Sequence, residues 1–298
     1  MHSSLLPVTS RSLWRPGARL VSRSALVVLL AVYGCASPRS GASQARATGT
    51  PSGRSVPRSL FLADLTSNEL RAAVADGFTT ALVYSGSTEG SGPALALGKH
   101  NVRAPYYAER IARELGHTLV GQVVPFGVNG EPLAGYPGTI AARPETFAAL
   151  HEDIVRSLAR AGFRRIVLLT EHGTNVPVLQ ALAPRLDAAL APAGVRVLLS
   201  TDNYTKSTAE IEAWGRARGV FAGRHGGLWD VSELWFVDAS KVRPGRLALG
   251  DTSVTPRDST QQVTGDPRQA SAVLGRFFAD IRVRNAVADI RNLLGTLP

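Results

Sequence analysis

Arg165-Ile166-Val167-Leu168-Leu169-Thr170 runs directly into Glu171-His172-Gly173-Thr174-Asn175, and a helix-forming stretch opens at Val176. Residues 166–169 are all aliphatic, so the strand is apolar on both faces, as expected of a strand buried inside a parallel sheet. The polar cluster stands where such a strand ends and its crossover helix begins. In open α/β sheets, ligands bind outside the carboxyl ends of the strands. This stretch therefore predicts a parallel sheet covered on both faces and directs attention to the loop that carries His172.

The same grammar recurs outward from it. Strands are predicted over 79–84 (T-T-A-L-V-Y), 118–124 (T-L-V-G-Q-V-V) and 195–200 (V-R-V-L-L-S), alternating with helices over 104–115, 144–161 and 176–190. Pro144 suits a first helical turn, where its missing N–H costs nothing, and Gly162 stands where a glycine ends a helix. Right-handed crossovers then give an α/β fold, a three-layer αβα sandwich with a mostly parallel central sheet. A last helix over 267–294 closes the chain. No internal repeat is visible, and 60–298 reads as one α/β domain.

The chain has 298 residues, 44% of them hydrophobic, which is ample for a packed core. Its net charge of +10 is unevenly placed. Eight arginines and no acid precede Asp64, and the remainder carries 25 basic and 23 acidic side chains. A nucleic-acid-binding domain gathers its charge on a folded surface, so nucleic acid is not an expected partner. Arg11, Arg15, Arg19 and Arg23 precede an apolar run over 25–32, far short of the roughly 20 residues that span a bilayer. They read as the charged and apolar regions of an export signal.

The run ends in Val32-Tyr33-Gly34-Cys35, which resembles a bacterial lipobox, although Tyr33 is bulkier than usual there. Cys35 is the only cysteine, which excludes an intramolecular disulfide and a Cys-based zinc site. The expected organisation is a lipoprotein-type signal peptide over 1–34 and a flexible Ser/Gly/Ala/Arg/Pro/Thr tether over 35–59, too poor in apolar residues to fold. The protein is then exported to the periplasmic face and held in the outer membrane through lipidated Cys35. The alternative is an ordinary signal peptide with an incidental cysteine. Replacing Cys35 by Ser and fractionating the cells separates the two.

Three loops carry the unusual residues. The first is Gly86-Ser87-Thr88-Glu89-Gly90-Ser91-Gly92-Pro93, continuing to Lys99-His100. The second is Glu171-His172-Gly173-Thr174-Asn175, and the third His225-Gly226-Gly227-Leu228-Trp229-Asp230-Val231-Ser232. Between the first two lie Pro125-Phe126-Gly127 and Gly135-Tyr136-Pro137-Gly138-Thr139-Ile140. Together, in order and at the right spacing over roughly residues 60–245, these resemble the creatininase family of metal-dependent amidohydrolases. Its loops have the forms G-S-x-E-x-H-G-P-H-L-P-x-x-T-D, N-G-H-G-x-N and H-A-G-x-x-E-T-S.

The resemblance implies two divalent metals, commonly zinc or manganese, with Glu89 and His172 as ligands of one. His225 matches a histidine near substrate and metal, and Asp230 stands where the third loop has glutamate. The departures are Ser91 for a histidine ligand, His100 for the bridging aspartate and Thr174 for a glutamate ligand. A carboxylate bridges two cations, whereas a neutral imidazole offers one lone pair to one. Glu89, His100 and His172 are therefore expected to hold about one zinc or manganese ion per chain, with an open position for water. Asp230 or His225 is the expected proton-transfer group.

Each residue also has a plainer reading. His100 is equally a surface residue beside Lys99, Glu171 a solvated loop charge, Asp230 a helix cap, and Trp229 and Trp235 packing residues. His117 and His151 are given no role. No glycine pattern of the dinucleotide-binding kind follows a strand and opens a helix. The expected activity is hydrolysis of a non-peptide C–N amide bond in a small molecule. The rival is a family member without turnover that binds a ligand or partner. A homo-oligomer is the assembly the resemblance implies.

Overall fold

Strands β1 (Thr80–Ser85), β2 (Thr118–Val124), β3 (Arg165–Thr170) and β4 (Arg196–Leu199) form one sheet in the order β2-β1-β3-β4, every pair parallel. The structure is a computed structural model and describes residues 57–250 and 261–296. These fall within a single compact unit, 51–298. The expected signal peptide, lipidated Cys35 and most of the tether lie outside the described residues. No helix among the described residues is long and apolar enough to cross a membrane.

The registers decide where the strands stop. Ser85 pairs with Val124 on one side and with Thr170 on the other, so the chain leaves β1, β2 and β3 at one level. Three loops consequently open on a common edge.

Alternation along the strands sorts the core into two halves. Ala81, Val83, Ile166 and Leu168 face α3 (Pro144–Arg160) and α4 (Val176–Leu190), with Phe147, Val155, Leu179 and Leu186 between. Leu82, Tyr84, Val167 and Leu169 face α2 (Lys99–Leu115) and α7 (Ala272–Gly295). The buried residues of α2, Ala104, Tyr107, Ala108, Ile111 and Ala112, keep the i, i+3, i+4 spacing of one helical face. Full burial of each such aliphatic or aromatic side chain is worth about 1.5–3 kcal/mol. The result is the three-layer sandwich that the alternation implied. Gly162 does end α3, at φ +106°, a conformation that side chains rarely adopt.

Some boundaries differ from expectation. Helix α2 begins at Lys99, five residues before the expected start at 104, and this brings Lys99, His100 and Arg103 onto the helix. Pro267–Gln269 is a separate 3-10 turn, and Ser271 starts α7 by accepting the Leu274 N–H at 3.2 Å. Three helices were not anticipated: α1 (Ser67–Ala75), α5 (Thr205–Arg216) and α6 (Leu228–Val237). The last reads L-W-D-V-S-E-L-W-F-V, without an amphipathic stripe, because Leu228 to Leu234 are all buried.

Candidate metal centre

The site is assembled from the loop edge and the first turns of two helices. His172 follows β3 directly, and its N–H donates to Thr170 Oγ1 at 3.1 Å. Glu89 lies in the loop after β1, its N–H donating to Leu97 O at 3.0 Å. Buried Asn175 ties these loops together. Its amide Nδ2 donates to Gly86 O (3.1 Å) and Thr170 Oγ1 (3.0 Å), and its Oδ1 accepts from Val128 N (2.8 Å). A side chain at Gly127 would begin 3.0 Å from that Oδ1. His225 is pinned through its N–H to Thr264 Oγ1 at 2.9 Å. Gly226, at φ +60°, turns the chain so that its own N–H reaches Asp230 Oδ2 at 2.9 Å.

These elements enclose a cavity of about 250 Å³ lined by Glu89, Lys99, His100, His172, His225, Tyr204 and Trp229, with exposed Glu131 and Arg224 also bordering it. Ligand atoms of Glu89, His100 and His172, all buried, lie within 4.8 Å of one another. Glu89 Oε1 is crowded with donors: His100 Nε2 at 2.9 Å, Lys99 Nζ at 3.2 Å and Ser91 Oγ at 3.4 Å. Glu89 Oε2 has no hydrogen-bond partner. It abuts His172 Nε2 at closer than normal contact.

Hydrogen-bond logic sets the ring states. Thr174 Oγ1 donates to Val128 O, so it accepts from His172 Nδ1–H at 2.7 Å. His172 Nε2 then faces the orphaned Glu89 Oε2. At this separation only a proton fits between the two atoms, and they would have to move apart to share a metal ion; the set of carboxylate and imidazole donors is of the kind that takes zinc or manganese. Thr174, standing where the resemblance would have a ligand, instead orients the His172 ring. Thr174→Val should lower metal affinity by about 10–100-fold, as loss of a partner behind a metal-bound histidine does. A competition titration with a chromogenic chelator reads it.

His100 differs. Arg103 Nη2 donates to its Nδ1 at 3.1 Å, and a guanidinium cannot accept. Burial and then Lys99 hold the His100 imidazolium well below the usual histidine range. The neutral ring therefore has its proton on Nε2 and donates to Glu89. His100 is in place, buried at the expected cluster rather than on the surface, but turned as a donor.

Asp230 is also in the cluster, 0% exposed and absent from the cavity lining. Its Oδ1 accepts from Arg103 Nη1 at 2.7 Å, and its Oδ2 accepts from Lys99 Nζ and Gly226 N. Burial alone would raise its carboxyl; Lys99 and Arg103 overcome that and hold it well below the usual carboxylate range. Its contacts make it a counter-ion and turn-cap, without the open lone pair of a proton-transfer group. His225 keeps one: Nε2–H donates to Gly90 O at 2.8 Å, leaving Nδ1 free, 3.5 Å from Glu89 Oε1. Burial and Lys99 lower its pKa, so the ring is neutral.

Beneath lies a charge network that the sequence did not disclose. Arg103 faces Asp230, Glu171 (3.3 Å) and Glu233 (3.3 Å), and Arg282 Nε donates to Glu233 at 2.6 Å. Glu171 is thus no solvated loop charge: it is 1% exposed, and burial pushes its carboxyl up to about 7 against the pull of Arg103 and Arg282. Trp229 packs between the two guanidiniums, at 5.7 and 4.5 Å from its ring. His151, given no role, is fully buried and paired with Ser85 Oγ at 2.6 Å, away from the cavity. The available signal was Lys99, His100 and Arg103 at one-turn spacing, visible only if the helix begins at Lys99.

Fold and site together define a parallel-sheet α/β protein with a buried carboxylate–imidazole cluster at its strand ends that could hold a metal ion. Residues 63–290 match the family model Creatininase: Creatinine amidohydrolase, and the chain belongs to the creatininase family. Creatinine amidohydrolase of Pseudomonas putida is 29% identical over 166 residues, 52% of this chain and 62% of that one. 3-dehydro-scyllo-inosose hydrolase of Thermotoga maritima is 29% identical over 92 residues, 31% of this chain and 29% of that one. The chain thus spans less than two thirds of the length of these curated relatives.

Among solved structures, one described as Creatininase Mn superposes with a TM-score of 0.69 at 22% identity, covering 79% of this chain and 98% of that chain. A creatininase mutant of Zn-Zn type gives 0.68 at 22%, with the same coverage. At these identities the likeness is one of fold.

Proposed function

We propose that the chain is a divalent-metal-dependent hydrolase of a non-peptide C–N amide bond in a small molecule. The observation that carries this reading is the buried group of Glu89, His100 and His172 beside a cavity, with Glu89 Oε2 lacking a hydrogen-bond partner and facing His172 Nε2. Glu89 and His172 would hold the ion, with His100 joining them at the expense of its Arg103 hydrogen bond. Zinc or manganese, about one per chain, is the cofactor, in keeping with the metals named for the solved relatives. A divalent ion lowers the pKa of bound water to about 7 and polarises a carbonyl oxygen.

His225, neutral and anchored through Nε2–H, takes up a proton at Nδ1 and returns it to the leaving nitrogen. Asp230 fixes Lys99 in the cavity wall and Arg103 behind it. The membership of the family and the hydrolase names of both curated relatives support the class of reaction. Their substrates do not transfer with the fold.

A second reading, a ligand binder without turnover, is favoured by the saturation of Glu89 Oε1 and of both Asp230 oxygens by cations. A panel of lactams, formamides and small amides, assayed on the full chain loaded with manganese or zinc, separates the two. The hydrolase reading expects turnover of at least one compound, abolished by chelation. Metal retained with no turnover of any compound gives the binder, and a protein that retains no metal ends the metal-centre reading.

A further inference from the structure

Lys99 is the residue of the site that local rules do not explain. It opens α2, at the positive end of the helix dipole, where a cation is disfavoured. It is 1% exposed, whereas lysine is almost never fully buried unless paired. Its ammonium donates to Asp230 Oδ2 and lies 3.2 Å from Glu89 Oε1. The free Nδ1 of His225 is 3.5 Å from that same glutamate oxygen. Two carboxylate oxygens and a nearby imidazole lone pair form a donor set that zinc or manganese would accept. Because Lys99 also lines the cavity, ions in solution have a route to this place.

We infer that the Lys99 ammonium is a resident counter-cation that keeps a divalent-cation position between Glu89 and Asp230 closed, and that removing it opens that position. The inference rests on the reading of the site as a divalent-metal centre, whose own ion lies on the Glu89 Oε2 side. The ammonium acts by occupancy, because it takes the lone pairs of Glu89 Oε1 and Asp230 Oδ2 that a second ion would need. It also acts by charge, since a divalent ion is repelled by a fixed ammonium twice as strongly as a monovalent one at the same distance. Being covalently tethered, it cannot be removed by chelators or outcompeted by dilute metal. The position between Glu89 and Asp230 would thereby stay filled whatever the metal supply.

The test compares full-chain wild type with Lys99→Ala. Each is loaded with manganese chloride or zinc chloride, dialysed against metal-free buffer and measured by elemental analysis. Lys99→Ala should retain one equivalent more than wild type, and added manganese should raise its Tm by several degrees more. Equal counts in the two proteins overturn the inference, whatever their value. A wild type with no metal defeats the metal-centre reading separately, while a variant that still gains one ion supports the inference.

Removing Lys99 leaves two buried carboxylates facing each other, so Lys99→Ala alone is expected to fold poorly without metal. Lys99→Ala combined with Asp230→Asn removes that repulsion, and should fold and stay at the wild-type count. If Lys99→Ala stays unfolded with added manganese while the double variant folds, a divalent ion does not replace the ammonium and the inference is overturned. A second ion in the double variant overturns it as well.

Discussion

Glu89→Gln and His172→Ala are each expected to strip the divalent ion and abolish turnover together. Each deletes a donor atom with no substitute nearby: Glu89 Oε2 has no other partner, and the His172 ring is held by Thr174 so that only Nε2 faces inward. Loss of a residue that merely orients a ligand costs about 10–100-fold in metal affinity, and loss of the ligand itself should cost at least that. His225→Ala supplies the contrast. The ion should stay, and turnover should fall by about 10²–10⁴, the usual contribution of general acid–base catalysis. Metal content and rate measured on the same samples read both. Glu89→Gln with metal and activity intact would remove the basis of the assignment.

Arg103→Met is expected to be the most destabilising single change at the site. The side chain is 0% exposed and donates to Asp230 Oδ1 (2.7 Å), Asp230 O (3.1 Å) and His100 Nδ1 (3.1 Å), with Glu171 and Glu233 beside it. Burial by itself disfavours the charged guanidinium; Asp230, Glu171 and Glu233 outweigh it. Methionine matches the stem and leaves three carboxylates short of a partner in a dry interior. Breaking a buried ion pair from one side costs about 3–5 kcal/mol. In a domain of this size, at about 2–4 °C per kcal/mol, Tm should fall by about 6–20 °C. Thermal unfolding of the chelated protein measures this free of metal effects, and a fall of a degree or two would show that the network relaxes around the loss.

The layers of the fold and the loops that carry the site were legible in the sequence; the ionic wiring was not. Strands such as 165–170 are continuous apolar runs, and their loops follow from where the runs stop. Glu89, His100, His172 and His225, which line one cavity, were singled out through motif spacing, which reports position along the chain. What Lys99, Arg103, Glu171 and Glu233 do depends on burial, and a charged residue at a helix start or in a loop looks the same in sequence whether solvated or buried. The placement of α2 mattered most. With the helix begun at 104, Lys99, His100 and Arg103 fall in an undefined loop; with the helix begun at Lys99, they share one face. Asp230 shows the converse, since motif spacing singled it out but its two oxygens face the cations Lys99 and Arg103.

The single amide of Asn175 joins the exits of three strands, and this has a consequence for how the site comes apart. Amide protons in this region exchange with solvent only when their segment opens, and segments sharing hydrogen bonds open as a cooperative unit. Gly86, Val128 and Thr170 all meet at one side chain. The three loops therefore cannot breathe independently, and the free energy that holds one of them shut is shared by all.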